Sequence, residues 1–182
     1  MASVATFAAL GAAAGGLSAA GLLPATAGDG AERAESTQED FYNSAELPQR
    51  YAEALEDFEG DFPKSTVTQE VLQARSQMGA ALPADAGKAN VEDGLEDVMA
   101  AETWLCAWQG ELLDAAANDD QEGVRDAGEQ LRGWYDLEAV KEWVVDPGKQ
   151  WEKTILEPAL DGDTGPMQSL MDMCYPGNSA QE

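Results

Sequence analysis

The chain contains no histidine. That absence excludes Ser-His-Asp and Cys-His nucleophile systems, histidine-ligated zinc and histidine proton shuttles. Cysteine is almost as scarce. The two present, Cys106 and Cys174, are too few for a four-thiolate metal site. Basic residues are few as well: Lys and Arg together number 10 against 35 Asp and Glu, a formal charge of -25 over 182 residues. Nucleic-acid binding relies on cationic side chains that neutralise phosphates, so DNA and RNA are poor partners, as is an anionic lipid surface. Cations, basic proteins and salty water suit such a surface better. No cofactor-binding motif stands out, and no cofactor is expected.

A long strongly apolar run is missing too, although the first charge does not come until Asp29. Ala2 to Leu23 is uncharged, and as a helix it would reach about 33 Å, enough to cross a bilayer core. Only Val4, Phe7, Leu10, Leu17, Leu22 and Leu23 are strongly apolar there, and the rest is Ala, Gly, Ser and Thr. Insertion of that composition is marginal. Pro24 followed by Ala25-Thr26-Ala27-Gly28 supplies the break and the small residues of a signal-peptidase site, with Ala25 and Ala27 at its specificity positions. Residues 1–27 therefore read as a signal peptide cut after Ala27, or as a retained single-pass anchor. The segment lacks a basic n-region, which an earlier start would supply. Either reading puts the acidic remainder outside the cytoplasm, secreted or tethered, consistent with the scarcity of positive charge after residue 28.

Beyond the export segment the chain is long enough for one hydrophobic core. Residues 28–46 are small, polar and acidic and read as a flexible linker. From there to 175 the periodicity is helical, and no run alternates as a strand would. Leu47, Tyr51, Leu55 and Phe58 form one stripe, ended by Gly60 and Pro63. Thr66 with Gln69 makes a capping box for a second helix that carries Val67, Val71, Ala74 and Met78. Asn90 caps a third and longest helix reaching Ala117, with Val91, Val98, Leu105 and Leu112 aligned and Met99, Cys106 and Leu113 beside them. A fourth begins near Asp119, carries Val124, Leu131 and Tyr135, bends at Asp136 and stops at Asp146-Pro147-Gly148. Short helices at 151–156 and 166–174 come next, the second capped by Thr164, and 176–182 is a tail. The expected fold is all-α, a mostly antiparallel bundle of about four main helices with short C-terminal ones.

Cys106 shares a stripe with Met99 and Leu113, and Cys174 one with Met167, Leu170 and Met171. Both thiols thus face a core. In an exported protein an even pair implies a disulfide, closing a loop worth roughly 4 kcal/mol in the chain-entropy model.

Glu102 falls inside the apolar arc of the third helix. Desolvation would raise its pKa and make it a general acid of the kind small cell-wall hydrolases use. A plainer reading pairs it with Arg125 or Arg132 on the next helix. The stretch NDDQEGVRDAGE places oxygen-bearing side chains with EF-hand spacing, Asn118, Asp120, Glu122 and Glu129 among them, around Gly123. It departs from that pattern in its first residue and at Arg125, and a helix-helix turn capped by Asn118 explains the same letters. Asp161 to Gly165 is a second acidic turn with the same two readings. Trp104, Trp108, Trp134, Trp143 and Trp151 either line a groove or fill the corners between helices.

The expectation is a non-enzymatic extracytoplasmic acidic domain that binds another envelope or membrane protein, one with a basic surface. The alternatives are a small secreted hydrolase acting through Glu102 and a calcium-stabilised binding module. No feature of the pattern sets an oligomeric state.

Overall fold

The computed structural model describes residues 41–80 and 89–175, with side chains throughout except at 77–80. The export segment with Ala25 and Ala27, most of the linker and the 176–182 tail lie outside the described residues.

The fold is all-α, arranged around one central helix. The main helices are α1 (Leu47–Glu56), α2 (Thr66–Ala80), α3 (Leu95–Ala117), α4 (Gln121–Arg132), α5 (Glu138–Trp143), α6 (Glu157–Leu160) and α7 (Gly165–Cys174). A 3-10 turn, Gly133–Asp136, joins α4 to α5, and a π-helical turn, Glu152–Leu156, leads into α6. Helix α3 is about 34 Å long by its residue count. It buries Ala100, Ala101, Trp104, Cys106, Ala107, Leu112 and Ala115, positions that run round its circumference rather than along one stripe. A helix with apolar residues all round is one surrounded by others. Helices α1, α2, α4, α5 and α7 all pack on it.

Alanine makes this possible. Ala100, Ala101 and Ala107 are fully buried, and their small side chains admit neighbouring helices closely while costing nothing in rotamer entropy. Of the expected line, Leu112 is fully buried while Val91, Val98 and Leu105 are half-buried, and beside it Cys106 is buried while Met99 and Leu113 are half-buried. Among the described residues three apolar clusters result. Leu112, Ala127, Leu131, Leu156, Ala159 and Met167 hold α4, α6 and α7 to the C-terminal half of α3. Ala101, Trp104, Trp134, Leu137 and Val140 hold the 3-10 turn and α5. Val71, Ala107, Cys106 and Cys174 hold α2 and α7, and there Cys106 and Cys174 form the expected disulfide across 68 residues of chain.

Several expectations about element ends are corrected. Residues 41–46 are not linker: β1 (Phe41–Asn43) pairs antiparallel with β2 (Asn90–Glu92), Tyr42 opposite Val91, and a 3-10 turn over Ser44–Glu46 comes after β1. Tyr42 is 6% exposed, so this short ribbon closes part of the core. Three-residue strands are too brief for alternation to register in the sequence. Helix α3 accordingly begins at Leu95, after Gly94 in the left-handed region at φ 95°, and not at Asn90. Ser65, not Thr66, caps α2 by accepting from the Thr68 amide at 3.1 Å. Asn118 ends α3 and its side chain donates back to the Asp114 carbonyl, while Asp120 caps α4 by accepting from the Glu122 and Gly123 amides. The Thr164 side chain makes no cap bond; Asp163 Oδ1 instead accepts from the Gly165 amide at 3.3 Å.

Candidate functional site

An acidic concavity opens between α1, the β2–α3 turn and α5, with a volume of about 540 Å³. Helix α1 supplies Arg50, the residues just past its end add Asp57, Phe58 and Glu59, the β2–α3 turn adds Asp93 and Gly94, the first turn of α3 adds Glu96 and Asp97, and α5 adds Glu138, Glu142 and Trp143. Seven carboxylates thus share a wall with one guanidinium. An adjoining hollow along α1 of about 500 Å³ extends the acidic surface with Glu46 and Glu53.

Two constraints fix this wall. Gly94 must reverse the chain between β2 and α3 at positive φ, and its Cα sits against the Trp143 indole. A Cβ there would lie 3.1 Å from ring atoms of Trp143. Glycine is the residue that meets both demands without strain. Arg50 is the second constraint. Its Nη1 lies 2.6 Å from Asp93 Oδ1 and 3.2 Å from Glu96 Oε1, and its guanidinium stacks 4.1 Å from the centre of the Tyr42 ring. This ties β1, α1 and the β2–α3 turn together.

Charge is unbalanced around that knot. Glu96 is 8% exposed, and its Oε2 and the Tyr42 hydroxyl are both buried, the hydroxyl facing the carboxylate. Burial, and after it the hydrogen bond that the hydroxyl donates to the Glu96 carboxylate, hold the Tyr42 hydroxyl well above the ordinary tyrosine range. The Asp97 carboxyl is also pushed up, by burial first and then by Glu96, Asp93 and Glu142. Glu59 is partly committed, since its Oε1 accepts from the Glu138 amide at 2.8 Å and so caps α5.

Glu102 is not in this groove. Its Oε2 accepts from Arg75 Nη2 at 2.8 Å, so its partner is on α2 and not Arg125 or Arg132 on α4. Arg75 is itself held by Thr103 Oγ1 and the Met173 carbonyl, and Thr103 shares a buried 2.7 Å hydrogen bond with Tyr51. Of the expected stripe, Val71 is fully buried and Val67 packs over Gly110 of α3, and the polar Thr68 and Arg75 share this inward face. An arginine in a hydrophobic stripe carries no sequence signal of its own partner 27 residues away.

The twelve residues Asn118–Glu129 do not form a cation-binding loop. Asn118 ends one helix, Asp120 caps the next, and Glu122 and Glu129 lie on the regular helix α4. Two turns of helix, about 10 Å of axial rise, separate those two glutamates. Glu122 instead lies 3.8 Å from Arg125. Among the described residues no group of three or more His, Cys, Asp or Glu is placed to hold a metal ion, which covers the Asp161–Gly165 turn as well.

The tryptophans divide between the two readings. Trp104 and Trp134 are core, and Trp104 and Trp108 both donate to the Asp61 carbonyl, at 2.9 and 3.0 Å. Trp143 stands in the groove wall. No family model, curated protein or solved structure matches the chain. Among the described residues no helix is long and apolar enough to cross a membrane.

Proposed function

We propose that the chain is an extracytoplasmic acidic helical domain, secreted or tethered by its first residues, that works by binding another protein of the cell envelope. The observation that carries this reading is the groove. Its carboxylates are concentrated on one concave face with an aromatic wall, where an evenly solubilising surface would disperse them. The Cys106–Cys174 bridge supports the compartment, because a bond between two buried cysteines persists in oxidising surroundings and is rare in a reducing cytosol. The charge-free start ending in Ala25-Thr26-Ala27 supports the same location.

Fractionation of cells expressing the native gene tests the location. The protein is expected in the medium with Gly28 at its N-terminus, or in the membrane fraction uncut. Soluble cytosolic protein with an intact Met1 and two free thiols overturns it. Cross-linking in those fractions, followed by pull-down, is expected to recover an envelope protein. Recovery of the chain alone from every fraction overturns the interaction role.

A further inference from the structure

Asp146-Pro147 is the one Asp-Pro pair in the chain. Such a bond carries its own route to cleavage in acid. The aspartic side chain lies within reach of its own peptide carbonyl, and the proline nitrogen, a tertiary amide without an N–H, leaves readily once it takes a proton. In that step an oxygen of the protonated carboxyl adds to the Asp146 carbonyl carbon, the C–N bond to Pro147 breaks, and the carboxyl proton passes to the proline nitrogen. A five-membered anhydride remains, and water opens it. The products are a chain that ends at Asp146 and a chain that begins at Pro147.

We infer that Asp146-Pro147 is a latent backbone-cleavage site, kept closed by the hydrogen bonds that hold the Asp146 side chain, and that the Cys106–Cys174 bridge keeps the two pieces together once the bond is cut. Access is not what protects it. Val145 is 92% exposed and Pro147 is exposed, so water and acid reach the loop. The nucleophile is what the fold withdraws. Asp146 Oδ1 accepts from the Gln150 amide at 2.9 Å, and Oδ2 accepts from the Trp151 amide at 3.0 Å and from the Tyr135 hydroxyl. Both oxygens would have to leave these donors to turn on the Asp146 carbonyl, which itself accepts from the Lys149 amide at 3.1 Å.

The proton is withheld as well. Burial opposes ionisation of Asp146, but the three hydrogen bonds outweigh it, Lys153 adds to them, and the carboxyl is held below its ordinary value. The other charges nearby are Lys149, 4.8 Å from the centre of the Tyr135 ring, and Glu152, 3.8 Å from Lys149. In mild acid the folded carboxyl therefore lacks the proton that the leaving nitrogen needs, and cleavage waits for a local opening that frees it.

The fold does not depend on the bond for its integrity. Cys106 and Cys174 lie on opposite sides of it and are joined. Leu156, Ala159 and Met167, which come after the bond, pack with Leu112, Ala127 and Leu131, which come before it. A cut chain is thus a two-chain protein with α6 and α7 still seated on α3.

The test follows the full chain by mass spectrometry, with and without reductant, in acid mild enough that circular dichroism shows it folded, and in the same acid with urea. The folded parent is expected to be cut at least about a hundredfold more slowly than the chain in urea, because three hydrogen bonds to one carboxylate must open together. Tyr135→Phe removes one of them and is expected to speed cleavage of the folded chain about tenfold while leaving the rate in urea unchanged. Pro147→Ala keeps Asp146 and its donors and is expected to abolish the cut in both states. Without reductant the cut protein is expected to remain one species, and with reductant to separate into pieces that end at Asp146 and begin at Pro147. Equal rates with and without urea overturn the protection, a comparison that needs no variant. A folded Tyr135→Phe chain cut no faster than the parent overturns the role of the side-chain bonds. Pieces that separate without reductant overturn the role of the bridge.

Discussion

Arg75 Nη2 lies 2.8 Å from Glu102 Oε2, and the two ends of this pair have different surroundings: the Arg75 side chain is 8% exposed and that of Glu102 51%. The carboxylate is half in water and replaceable; the guanidinium is the buried member and has further partners in Thr103 and the Met173 carbonyl. Glu102→Gln is therefore expected to cost about 0.2–1 kcal/mol. Arg75→Ala, which removes charge-assisted hydrogen bonds and a packed stem, is expected to cost about 2–4 kcal/mol. Urea denaturation near neutral pH measures both, and equal costs would show that the pair acts as a simple surface bridge.

Reduction of Cys106–Cys174 frees 68 residues of closed loop and, with them, the end of α7. The chain-entropy model puts the loss at about 4 kcal/mol. For a domain of this size that is a fall in Tm of roughly 10–15 °C, and the double variant Cys106→Ser/Cys174→Ser is expected to match the reduced protein. Calorimetry with and without a reductant provides the comparison. A Tm unmoved by reduction, with two thiols titrating, would contradict it.

Two glycines should respond in opposite directions to alanine. Gly94 sits at φ 95° with Trp143 3.1 Å from where a methyl would go, so Gly94→Ala is expected to cost about 1–3 kcal/mol. Gly133 comes after α4 in ordinary helical conformation, with nothing within 4 Å of an added Cβ. Gly133→Ala is expected to add about 0.4–1 kcal/mol by restricting the unfolded chain. Thermal melts of the two variants decide the matter, and a destabilised Gly133→Ala would mean the turn needs more freedom than its backbone indicates.

Acid should act through two aspartates with opposite signs. Burial works against ionisation of Asp146, but hydrogen bonds from the Tyr135 hydroxyl and the Trp151 and Gln150 amides outweigh it and hold the carboxyl below its ordinary value. Its stabilisation is full above the unfolded value of about 4 and is lost as pH falls through the lower folded value. Asp146→Asn is expected to destabilise at neutral pH and to flatten the acid limb below about pH 4. Asp97 is the reverse case. Its folded pKa is raised, so its charged form is a burden at neutral pH that disappears as pH falls through the folded value. Asp97→Asn is expected to raise Tm near neutral pH and to match the parent in acid. Melts of both variants over a pH series test the signs, and parallel curves for the parent and either variant would reject the corresponding assignment.

Legibility in the sequence varies with the range of the interaction. The stripes of α1 and α4 are found buried at Leu47, Tyr51, Val124 and Leu131 because each helix buries one face. Helix α3 is legible in its existence and its C-terminus but not in its packing. Alanine is a weak marker of orientation, and the three fully buried alanines are indistinguishable by pattern from exposed ones. Caps shift by one or two residues where neighbouring Ser, Thr, Asn and Asp all offer the same side-chain chemistry, as with Ser65 against Thr66 and Asp120 against Asn118.

The groove is legible only as excess charge. Its members come from residues 46–59, 93–97 and 138–143, and no local motif connects them. Of its aromatic residues, Trp143 is one of five tryptophans in the sequence, with nothing there to separate it from the buried Trp104 and Trp134.

By itself, then, the sequence determined the helical class, the facing of Cys106 and Cys174 into a core, and a charge that turns away polyanions. These arise from periodicity and composition, which local chain geometry converts directly into a face or a field. Only the tertiary structure decided that Arg75 is the partner of Glu102, that Asn118–Glu129 is a helix junction, and that acids from three separate segments meet around Gly94 and Trp143. Such pairings depend on how helices cross in space, and the energy that sets those crossings comes from burying apolar surface, to which the charged residues at the rim contribute little.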